Sequence, residues 1–430
     1  MNQGKAGPVA VQARIQTLDV VRGVAVLGIL LMNIWAFAGP QAYFDYPVAL
    51  ADRAGAPVAT WAVVHTLFEG SQRALFSLLF GAGMLLMVTR LALEPGAAVG
   101  RTYYRRLFLL MAIGLFDAFV LLWPADILLT YALCGLVLYP LRKLQPAWLI
   151  AIALLVFAAN AGLRAADLRE SRELQAAYPA ALAAPEGDEQ AAEVIKAWER
   201  IENRARPDIN GEELTETLRI MSSGSLGEFY RERAKSSLIL QTVVALNAWL
   251  LDALAVMLLG MAALRVGLVK GEVSTTRVLA MTVTGYLVGL PMALAETQAL
   301  LATDFDPLVG EQWLIVYDIR RVAIAAGHLG VVLLVCQSGA LPWLRDKVAA
   351  VGRMALSNYL GQSVLGGLIF YTVGFGLFGR YTGWQLYVFV ALIWTVQVAA
   401  SNWWLARYRF GPTEWLWRSL TYRQRQPMRR

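Results

Sequence analysis

Residues 18–35 read LDVVRGVAVLGILLMNIW, an apolar run that three polar side chains, Asp19, Arg22 and Asn33, interrupt. As a helix this run is about 27 Å long, close to the thickness of the hydrocarbon core of a bilayer. An ionisable or amide group that faces lipid costs several kcal/mol, so such groups face the interior of a bundle or a water-filled cavity. The stretch therefore predicts a membrane-spanning helix whose polar face is covered by other helices.

The composition of the whole chain supports a membrane protein. Of its 430 residues, 58% are hydrophobic, and a soluble fold would leave too much of this apolar surface without a core. The net charge of +7 comes from basic residues beside hydrophobic runs, which topology and lipid headgroups explain, so no nucleic acid is predicted as a partner. Cys134 and Cys336 lack the spacing of a disulfide framework or a metal site, and no metal is predicted.

A cleavable signal peptide is the alternative for the first run. Lys5 and Arg14 precede it and Ala36-Phe37-Ala38 ends it, which is the pattern of a signal sequence. Arg22 inside the run and the further apolar runs downstream favour a retained span instead.

Hydrophobic runs able to cross about 30 Å of hydrocarbon recur along the chain. About ten spans are predicted, at residues 20–38, 72–89, 107–123, 127–141, 147–163, 238–264, 278–300, 313–337, 354–373 and 384–404. Basic residues follow every even-numbered span, among them Arg90 and Arg101, Arg142 and Lys143, Arg265 and Lys270, Arg345 and Lys347, and Arg407 and Arg409. Because cytoplasmic loops are enriched in Lys and Arg, both termini are predicted to be cytoplasmic.

One long hydrophilic insert divides the chain. Residues 164–235 are rich in Ala, Glu and Arg, and the parity of the spans puts them outside the cell. The spacing of residues 189–200 predicts surface helices there. The predicted parts are an N-terminal membrane half (1–163), the extracytoplasmic insert (164–235), a C-terminal membrane half (236–406) and a basic, aromatic cytoplasmic tail (407–430).

Two stripes of polar residues are candidates for a functional site. Asp19, Arg22 and Asn33 share one face of the first span. His65, Glu69 and Arg73 follow at intervals of four, so one continuous helix would place them on one face, although Gly70 is a potential break. Histidine is the commonest general base. For both stripes a purely structural clasp between helices is the alternative.

Further polar residues lie within other predicted spans. Each alone is compatible with a structural role, but together they favour a polar cavity lined by several helices and able to bind a substrate. They are Asp117 in the third span, Asp252 in the sixth, Arg320, Arg321 and His328 in the eighth, and Asn358 and Gln362 in the ninth.

Four stretches carry a resemblance to a known family. They are LDVVRGVAVLGILLMNI (18–34), EGSQRALFSLLFGAGMLL (69–86), GRMALSNYLGQS (352–363) and RFGPTEWLWRSLTY (409–422). Together they resemble the bacterial YeiB-like family, also called domain of unknown function 418. That family is more distantly similar to polytopic membrane acyltransferases, namely the heparan-alpha-glucosaminide acetyltransferase group and the acyltransferase-3 group, which share an LD-x-x-RG opening.

The distant resemblance implies an enzyme of the bacterial inner membrane. Such an enzyme moves an acyl group from cytoplasmic acyl-CoA to a sugar or another hydroxyl or amine acceptor at the outer face. Asn33 occupies the spacing of a catalytic histidine of the acyltransferase-3 group. The heparan-type enzymes have asparagine there and a histidine in the following loop, where this chain has Phe44.

The resemblance also implies roles for the first stripes. Asn33 would donate to the developing oxyanion, and His65, oriented by Glu69, would accept the proton of the acceptor. Arg22 would bind the phosphates of acyl-CoA. This hypothesis predicts that Arg22, Asn33 and His65 converge on one cavity.

Two other functions remain open from the sequence. An exporter of a small or amphipathic molecule would place Asp117 and Asp252 along one central path. A scaffold that binds membrane lipid would need no cavity. The identity of the acceptor and the presence of a homo-oligomer are left open.

Overall fold

The computed structural model describes residues 16–50, 55–96 and 98–430. Within these ranges the protein is α-helical, and a single bridge between Tyr408 and Arg429 is its only extended pairing, which confirms the predicted all-α class. Lys5 and Arg14 lie outside the described residues. The helices are α1 (Gln16–Ala38), α2 (Ala42–Asp45), α3 (Ala56–Phe68), α4 (Ser71–Leu91), α5 (Val99–Phe119), α6 (Leu128–Leu141), α7 (Pro146–Leu182), α8 (Glu189–Ala205), α9 (Glu212–Ser223), α10 (Leu226–Ile239), α11 (Leu250–Arg265), α12 (Thr275–Ala302), α13 (Pro307–Gln337), α14 (Pro342–Arg353), α15 (Ala355–Phe370), α16 (Gln385–Arg407) and α17 (Pro412–Tyr422).

The helices form a membrane bundle. In the described part of the chain, seven helical segments are long and apolar enough to cross a membrane: α1, α3 with α4, α7, the segment from α10 to α11, α12, α13 and α16. The short fourth predicted span is the apolar helix α6, and α5 and α15 carry the third and ninth. Each predicted span thus coincides with a helix, while the number that cross the bilayer stays a prediction.

The insert is built on extensions of two membrane helices. Helix α7 has 37 residues and a length of about 55 Å, so its second half must project beyond about 30 Å of hydrocarbon. Helix α10 continues through the π-helix Leu240–Trp249 into α11. The predicted boundaries at 163/164 and 235/236 therefore fall inside continuous helical segments. Helix α8 covers the predicted helix at 189–200, and Asp188 caps its first turn.

The loops gather at two ends of the bundle. At one end, which we call the basic end, Arg265 donates to the carbonyl oxygen of Arg142 (2.5 Å) and Arg105 to that of Thr421 (2.7 Å). At the opposite end, the amide of Gly379 donates to the carbonyl of Ala38 (2.7 Å). These contacts join loops that the alternation of spans predicts to be on the same side. The positive-inside rule predicts that the basic end is the cytoplasmic one.

Small residues let the central helices approach closely. A Cβ atom on Gly81 of α4 would lie 2.0 Å from the carbonyl oxygen of Met257 in α11, and one on Gly260 would lie 2.0 Å from that of Leu78. Such close backbone contact is typical of membrane helix pairs. It holds α4, the helix that carries most of the site, rigidly against α11.

Candidate functional site

A cavity of about 680 Å³ lies among α1, α4, α5, α6, α15 and α17. Along α4 its wall runs from Phe76 to Leu91, a rise of about 22 Å. This length is about three quarters of the thickness of the hydrocarbon core of a bilayer. Its volume is within the range of small-molecule sites.

The mouth of the cavity, at the basic end, is rich in arginine. Asp19 and Arg22 form an ion pair there at 3.6 Å. Positive charge prevails in this mouth, which suits an anionic group. The charged lining residues within the described chain are Arg22, Arg90, Arg106, Arg353 and Arg418, with Asp19, Glu94 and Glu414.

Arg106 is the mouth residue with the clearest electrostatic signature. Its guanidinium carbon lies 3.5 Å from the centroid of the Trp417 ring, and the indole nitrogen of Trp417 donates to the Arg106 carbonyl at 3.0 Å. Burial, together with the nearby charges of Arg418 and Arg22, lowers the pKa of Arg106 to about 9. A cation that burial and like charges disfavour is stabilised when an anion binds beside it.

The C-terminal tail closes one side of this mouth. Glu414 of α17 accepts hydrogen bonds from the amides of Leu356 (2.7 Å) and Ser357 (3.0 Å) and from the Ser357 hydroxyl (2.5 Å). It thereby caps the N-terminus of α15, whose first amides have no partner within the helix. Burial raises the pKa of Glu414. This contact joins the two C-terminal motifs of the family resemblance.

The middle of the cavity is apolar. Leu79, Phe80 and Met84 of α4 face Leu107 and Leu110 of α5 across it. An apolar wall binds hydrocarbon or a thin uncharged chain better than an ion. The cavity as a whole therefore suits an amphiphile with an anionic head.

Three aromatic side chains form the far end of the cavity. The ring of Phe76 lies 5.9 Å from that of Tyr131 and 6.3 Å from that of Tyr359. The Tyr131 hydroxyl is 2.6 Å from Ser77 Oγ, and the Tyr359 hydroxyl donates to Asp126 Oδ1 at 3.3 Å. We call Phe76, Tyr131 and Tyr359 the aromatic layer.

An ion-pair cluster lies just beyond the aromatic layer. The Tyr131 hydroxyl is 3.4 Å from the carbonyl oxygen of Arg73, and Arg73 precedes Phe76 by less than one turn of α4. The cluster joins α4, α11, α12 and α13 and the turn between α3 and α4. Its members are Glu69, Arg73, Asp252, Glu296, Tyr317, Asp318, Arg320 and Arg321.

Arginines bridge the carboxylates in this cluster. Arg320 lies 2.5 Å from Glu69 and 2.7 Å from Glu296. Arg73 lies 3.1 Å from Asp252, which Arg321 also contacts. Five predicted site residues, Glu69, Arg73, Asp252, Arg320 and Arg321, thus meet at one place.

The cluster is closed on one side and accessible on the other. The side chains of Arg320 and Arg321 are 1% and 0% exposed, whereas those of Glu69 and Arg73 are 19% and 28% exposed. Tyr317 links the two accessible residues, since its hydroxyl donates to Glu69 (2.9 Å) and accepts from Arg73 (2.8 Å). A polar molecule can therefore reach Glu69 and Arg73 first.

The condition for His65, Glu69 and Arg73 to share one face, a continuous helix through residues 65–73, is not met, and the potential break at Gly70 is confirmed. Gly70 has a φ of +70°, which ends α3 and lets α4 begin at Ser71. A Cβ atom there would lie 2.5 Å from the Tyr317 hydroxyl, so both the backbone and the packing require glycine. Glu69 and Arg73 meet through Tyr317 and not along one helix face.

The predicted convergence of Arg22, Asn33 and His65 is also not found. Arg22 lines the cavity, but Asn33 and His65 do not. His65 is buried beside the ion-pair cluster, with Nδ1 3.0 Å from the Thr297 hydroxyl and its ring 4.6 Å from that of Trp61. Because the break at Gly70 turns α3 away from α4, the imidazole faces α12 instead.

The remaining predicted residues lie in three other places. Asp117 adjoins Asp126 beyond the aromatic layer, so it shares no path with Asp252 in the ion-pair cluster. His328 bridges helices, with Nδ1 2.8 Å from the Tyr286 hydroxyl and Nε2 2.9 Å from the Leu67 carbonyl.

Asn358 and Gln362 clasp helices together. Asn358 donates to the Ser401 hydroxyl (2.9 Å) and Gln362 to the Val26 carbonyl (2.9 Å). These bonds join α15 to α16 and α1, which is the structural alternative for such residues.

Sequence reasoning missed the residues that shape the cavity most. Arg106, Arg418 and Glu414 were not singled out because basic and aromatic residues near a membrane surface usually contact headgroups. Tyr131 and Tyr359 lie within apolar runs as ordinary tyrosines do. A sequence signal did exist for Glu414, since a carboxylate inside an aromatic closing block needs a specific partner.

Comparisons with known proteins agree with the resemblance. Residues 263–424 match the family described as "Protein of unknown function (DUF418)". The chain is 30% identical to the uncharacterized protein YxaH of Bacillus subtilis, over 98% of this chain and 97% of YxaH. It is 31% identical to the uncharacterized protein YeiB of Escherichia coli, over 96% of this chain and 97% of YeiB. No solved structure matches the chain.

Proposed function

This chain belongs to the YeiB-like family, the proteins of unknown function DUF418, and we propose that it is a membrane acyltransferase. Its donor is acyl-CoA, which enters the cavity from the basic end. Its acceptor is a sugar or another hydroxyl or amine compound that approaches from the opposite end. The proposal places the protein in the cytoplasmic membrane of a bacterium.

One observation carries the proposal. A cavity with arginines at its mouth and an apolar interior ends at the aromatic layer, and the partly accessible ion-pair cluster begins one hydrogen bond farther on. Donor and acceptor sites on opposite sides of a thin wall are what transfer across a membrane requires. A lipid-binding scaffold needs neither the wall nor the second site.

The dimensions suit coenzyme A. Its pantetheine arm has a backbone of about thirteen atoms, which at about 3.5 Å per three bonds reaches about 14 Å. Between Arg90 and Phe76 the wall of the cavity rises by about 21 Å. Phosphates held at the mouth thus leave about 7 Å for the thioester and a short acyl chain before the aromatic layer.

The accessible edge of the ion-pair cluster suits a polyhydroxy acceptor. Glu69 accepts hydrogen bonds and Arg73 donates them, so together they can hold neighbouring hydroxyl groups. The acceptor oxygen then attacks the thioester carbonyl carbon, the carbon–sulfur bond breaks, and the electron pair stays on sulfur. Rotation of Phe76 and Tyr131 is part of this proposal because these side chains separate the two sites.

His65 and Asn33 have no place in the proposed transfer. Neither lines the cavity, and His65 contacts Thr297 and Trp61, with its Nε2 3.9 Å from Glu296 on the buried side of the ion-pair cluster. Glu69, which was predicted to orient His65, binds the acceptor in this proposal. Arg22 keeps its predicted role at the phosphates.

The experiment obstructs the cavity with one side chain. Gly83 lines the cavity, and a Cβ atom there has only the flexible end of Arg22 within 4 Å, at 3.0 Å. Gly83→Phe should therefore fold while filling the interior. The matched control is Gly162→Phe, since Gly162 lies on the exposed side of α7 with nothing within 4 Å of an added Cβ.

Purified proteins would be incubated with labelled acetyl-, hexanoyl- and palmitoyl-CoA, with and without glucosamine. The wild type and Gly162→Phe are expected to bind acyl-CoA, release free CoA thiol and acylate glucosamine. Gly83→Phe should lose saturable binding. Saturable binding that Gly83→Phe leaves intact, or a wild type that neither binds nor cleaves any of the three donors, would overturn the proposal.

A further inference from the structure

Two buried carboxyl groups lie behind the aromatic layer. Asp117 of α5 and Asp126, just before α6, are each 0% exposed and adjoin each other. We call them the acid pair. Tyr359, which lines the cavity, donates to Asp126 at 3.3 Å. The tyrosine hydroxyl is thus the link between the cavity and the acid pair.

The two carboxyl groups of the acid pair differ in the hydrogen bonds that they accept. Asp126 Oδ2 accepts from the amides of Leu128 (2.9 Å) and Leu129 (3.2 Å) at the start of α6. Asp117 has only side-chain neighbours, the Ser363 hydroxyl and the Asp126 carboxyl group, and in the described chain neither of its buried oxygens accepts a hydrogen bond from a backbone amide. Asp126, which accepts the backbone hydrogen bonds, is therefore the better place for a negative charge.

The surroundings supply no cation to neutralise a second charge. Neither carboxyl group has a salt bridge to any described residue. Arg233 of α10, a helix that packs against α5, donates to the Leu122 carbonyl (3.1 Å) and the Tyr371 hydroxyl (2.6 Å) instead. Two adjacent carboxylates in an apolar interior cannot both be ionised, so the pair holds one proton.

We infer that Tyr359 and the acid pair are the acid–base site of the acyl transfer. This inference rests on the proposed function and adds its proton path. Tyr359 is the catalytic residue because its side chain lines the cavity, while its hydroxyl donates to Asp126 and accepts from the Ile127 amide at 3.2 Å. Asp126 and Asp117 act through it and are positioning residues.

The proton moves in a closed cycle. As the acceptor oxygen bonds to the carbonyl carbon, its proton passes to the Tyr359 oxygen while the Tyr359 proton passes to Asp126. As the carbon–sulfur bond breaks, the thiolate takes a proton from Tyr359, which regains its own from Asp126. The acid pair ends with the one proton it began with.

Substitutions test this path through activity. Tyr359→Phe and Asp126→Asn should keep the acyl-CoA Kd within about threefold and lose about 10²-fold or more in transfer, the usual contribution of acid–base catalysis. Asp117→Asn leaves a single titrating carboxyl group in place of the pair, so the pH at half-maximal transfer should shift, which a merely structural role of Asp117 would not cause. The controls are Tyr230→Phe and Asp167→Asn, both at exposed positions on the insert.

A chemical label tests the shared proton without any activity. Dicyclohexylcarbodiimide reacts with protonated carboxyl groups in apolar surroundings: the acid proton goes to a carbodiimide nitrogen and the carboxylate oxygen bonds to the central carbon. Peptide mass spectrometry should find the adduct on Asp117 or Asp126 and not on Asp252, which forms salt bridges with Arg73 and Arg321.

The outcomes separate the two proposals. Tyr359→Phe with wild-type transfer would overturn the acid–base site and leave the acyltransferase standing. A wild type without transfer would overturn the acyltransferase, and labelling would then decide whether the acid pair holds a proton. An unlabelled acid pair would overturn this inference whatever the activity.

Discussion

Arg106→Gln separates an anion-binding arginine from a structural one. The guanidinium lies 3.5 Å from the Trp417 ring at the mouth of the cavity, and the pKa of Arg106 is lowered to about 9. Because an arginine ordinarily has a pKa above 12 and each pH unit is worth about 1.4 kcal/mol, the empty cavity disfavours this charge by up to about 4 kcal/mol. Water in the open mouth screens much of this electrostatic cost, so the charge of Arg106 destabilises the ligand-free protein by on the order of 1–2 kcal/mol.

The loss of the charge should therefore weaken acyl-CoA binding while leaving the stability of the protein nearly unchanged. Losing the cation–π contact with Trp417 costs about 1 kcal/mol, which offsets the relief of the disfavoured charge, so the Tm of the ligand-free variant should stay within about 2 °C of the wild type. A phosphate that loses a charge-assisted hydrogen bond loses about 1.5–3 kcal/mol, which weakens the acyl-CoA Kd about 10- to 150-fold.

The pH dependence has a defined sign. Below a pH of about 9 Arg106 is charged and binds the anion, and above it the affinity should fall. In this upper range the folded protein binds fewer protons at Arg106 than the unfolded chain does, so the contribution of this residue to stability rises with pH.

The assay is acyl-CoA binding by calorimetry, with thermal melting of the same samples. Arg101→Gln is the control, since Arg101 is exposed on the same helix and does not line the cavity. An unchanged Kd for Arg106→Gln, or an equal loss for Arg101→Gln, would refute the reasoning.

Three further outcomes are expected. Phe76→Ala should lengthen the longest acyl chain transferred by about four carbons, because about 5 Å of side chain leaves the end of the cavity; assays over a series of acyl-CoA chain lengths would show it, and an unchanged cut-off would contradict it. His65→Gln should lower the Tm by removing a buried hydrogen bond to Thr297 worth about 1–3 kcal/mol while transfer stays within about twofold; a loss of 10²-fold or more would restore His65 as the base. Because burial raises the pKa of Glu414, the folded state binds its proton more tightly, so the stability of the wild type relative to Glu414→Gln should fall as pH rises through the range just above the usual value for a carboxyl group. Melting curves at a series of pH values would measure this, and a rising difference would contradict it.

The sequence by itself determined that this is a helical membrane protein of the YeiB-like family. The length of a hydrophobic run and the basic residues beside it are properties of one span and its flanks, so they can be read from a short stretch of sequence. For this reason each predicted span coincides with a helix. The polar residues of the spans were also identified as interior ones, because lipid does not tolerate them. That rule singled out Arg22, Glu69, Arg73 and Arg320 as residues of the interior.

Only the tertiary structure decided which polar residues face a common cavity. The break at Gly70 rotates His65 away from α4, and a single residue with a positive φ leaves the hydrophobic pattern of its neighbours unchanged. The tail folds back so that Glu414 caps α15 and Trp417 covers Arg106. These contacts join separate helices, and the periodicity of side chains along one helix cannot predict them. A cavity is the space between helices, and its walls depend on how those helices pack and not on the composition of any one of them.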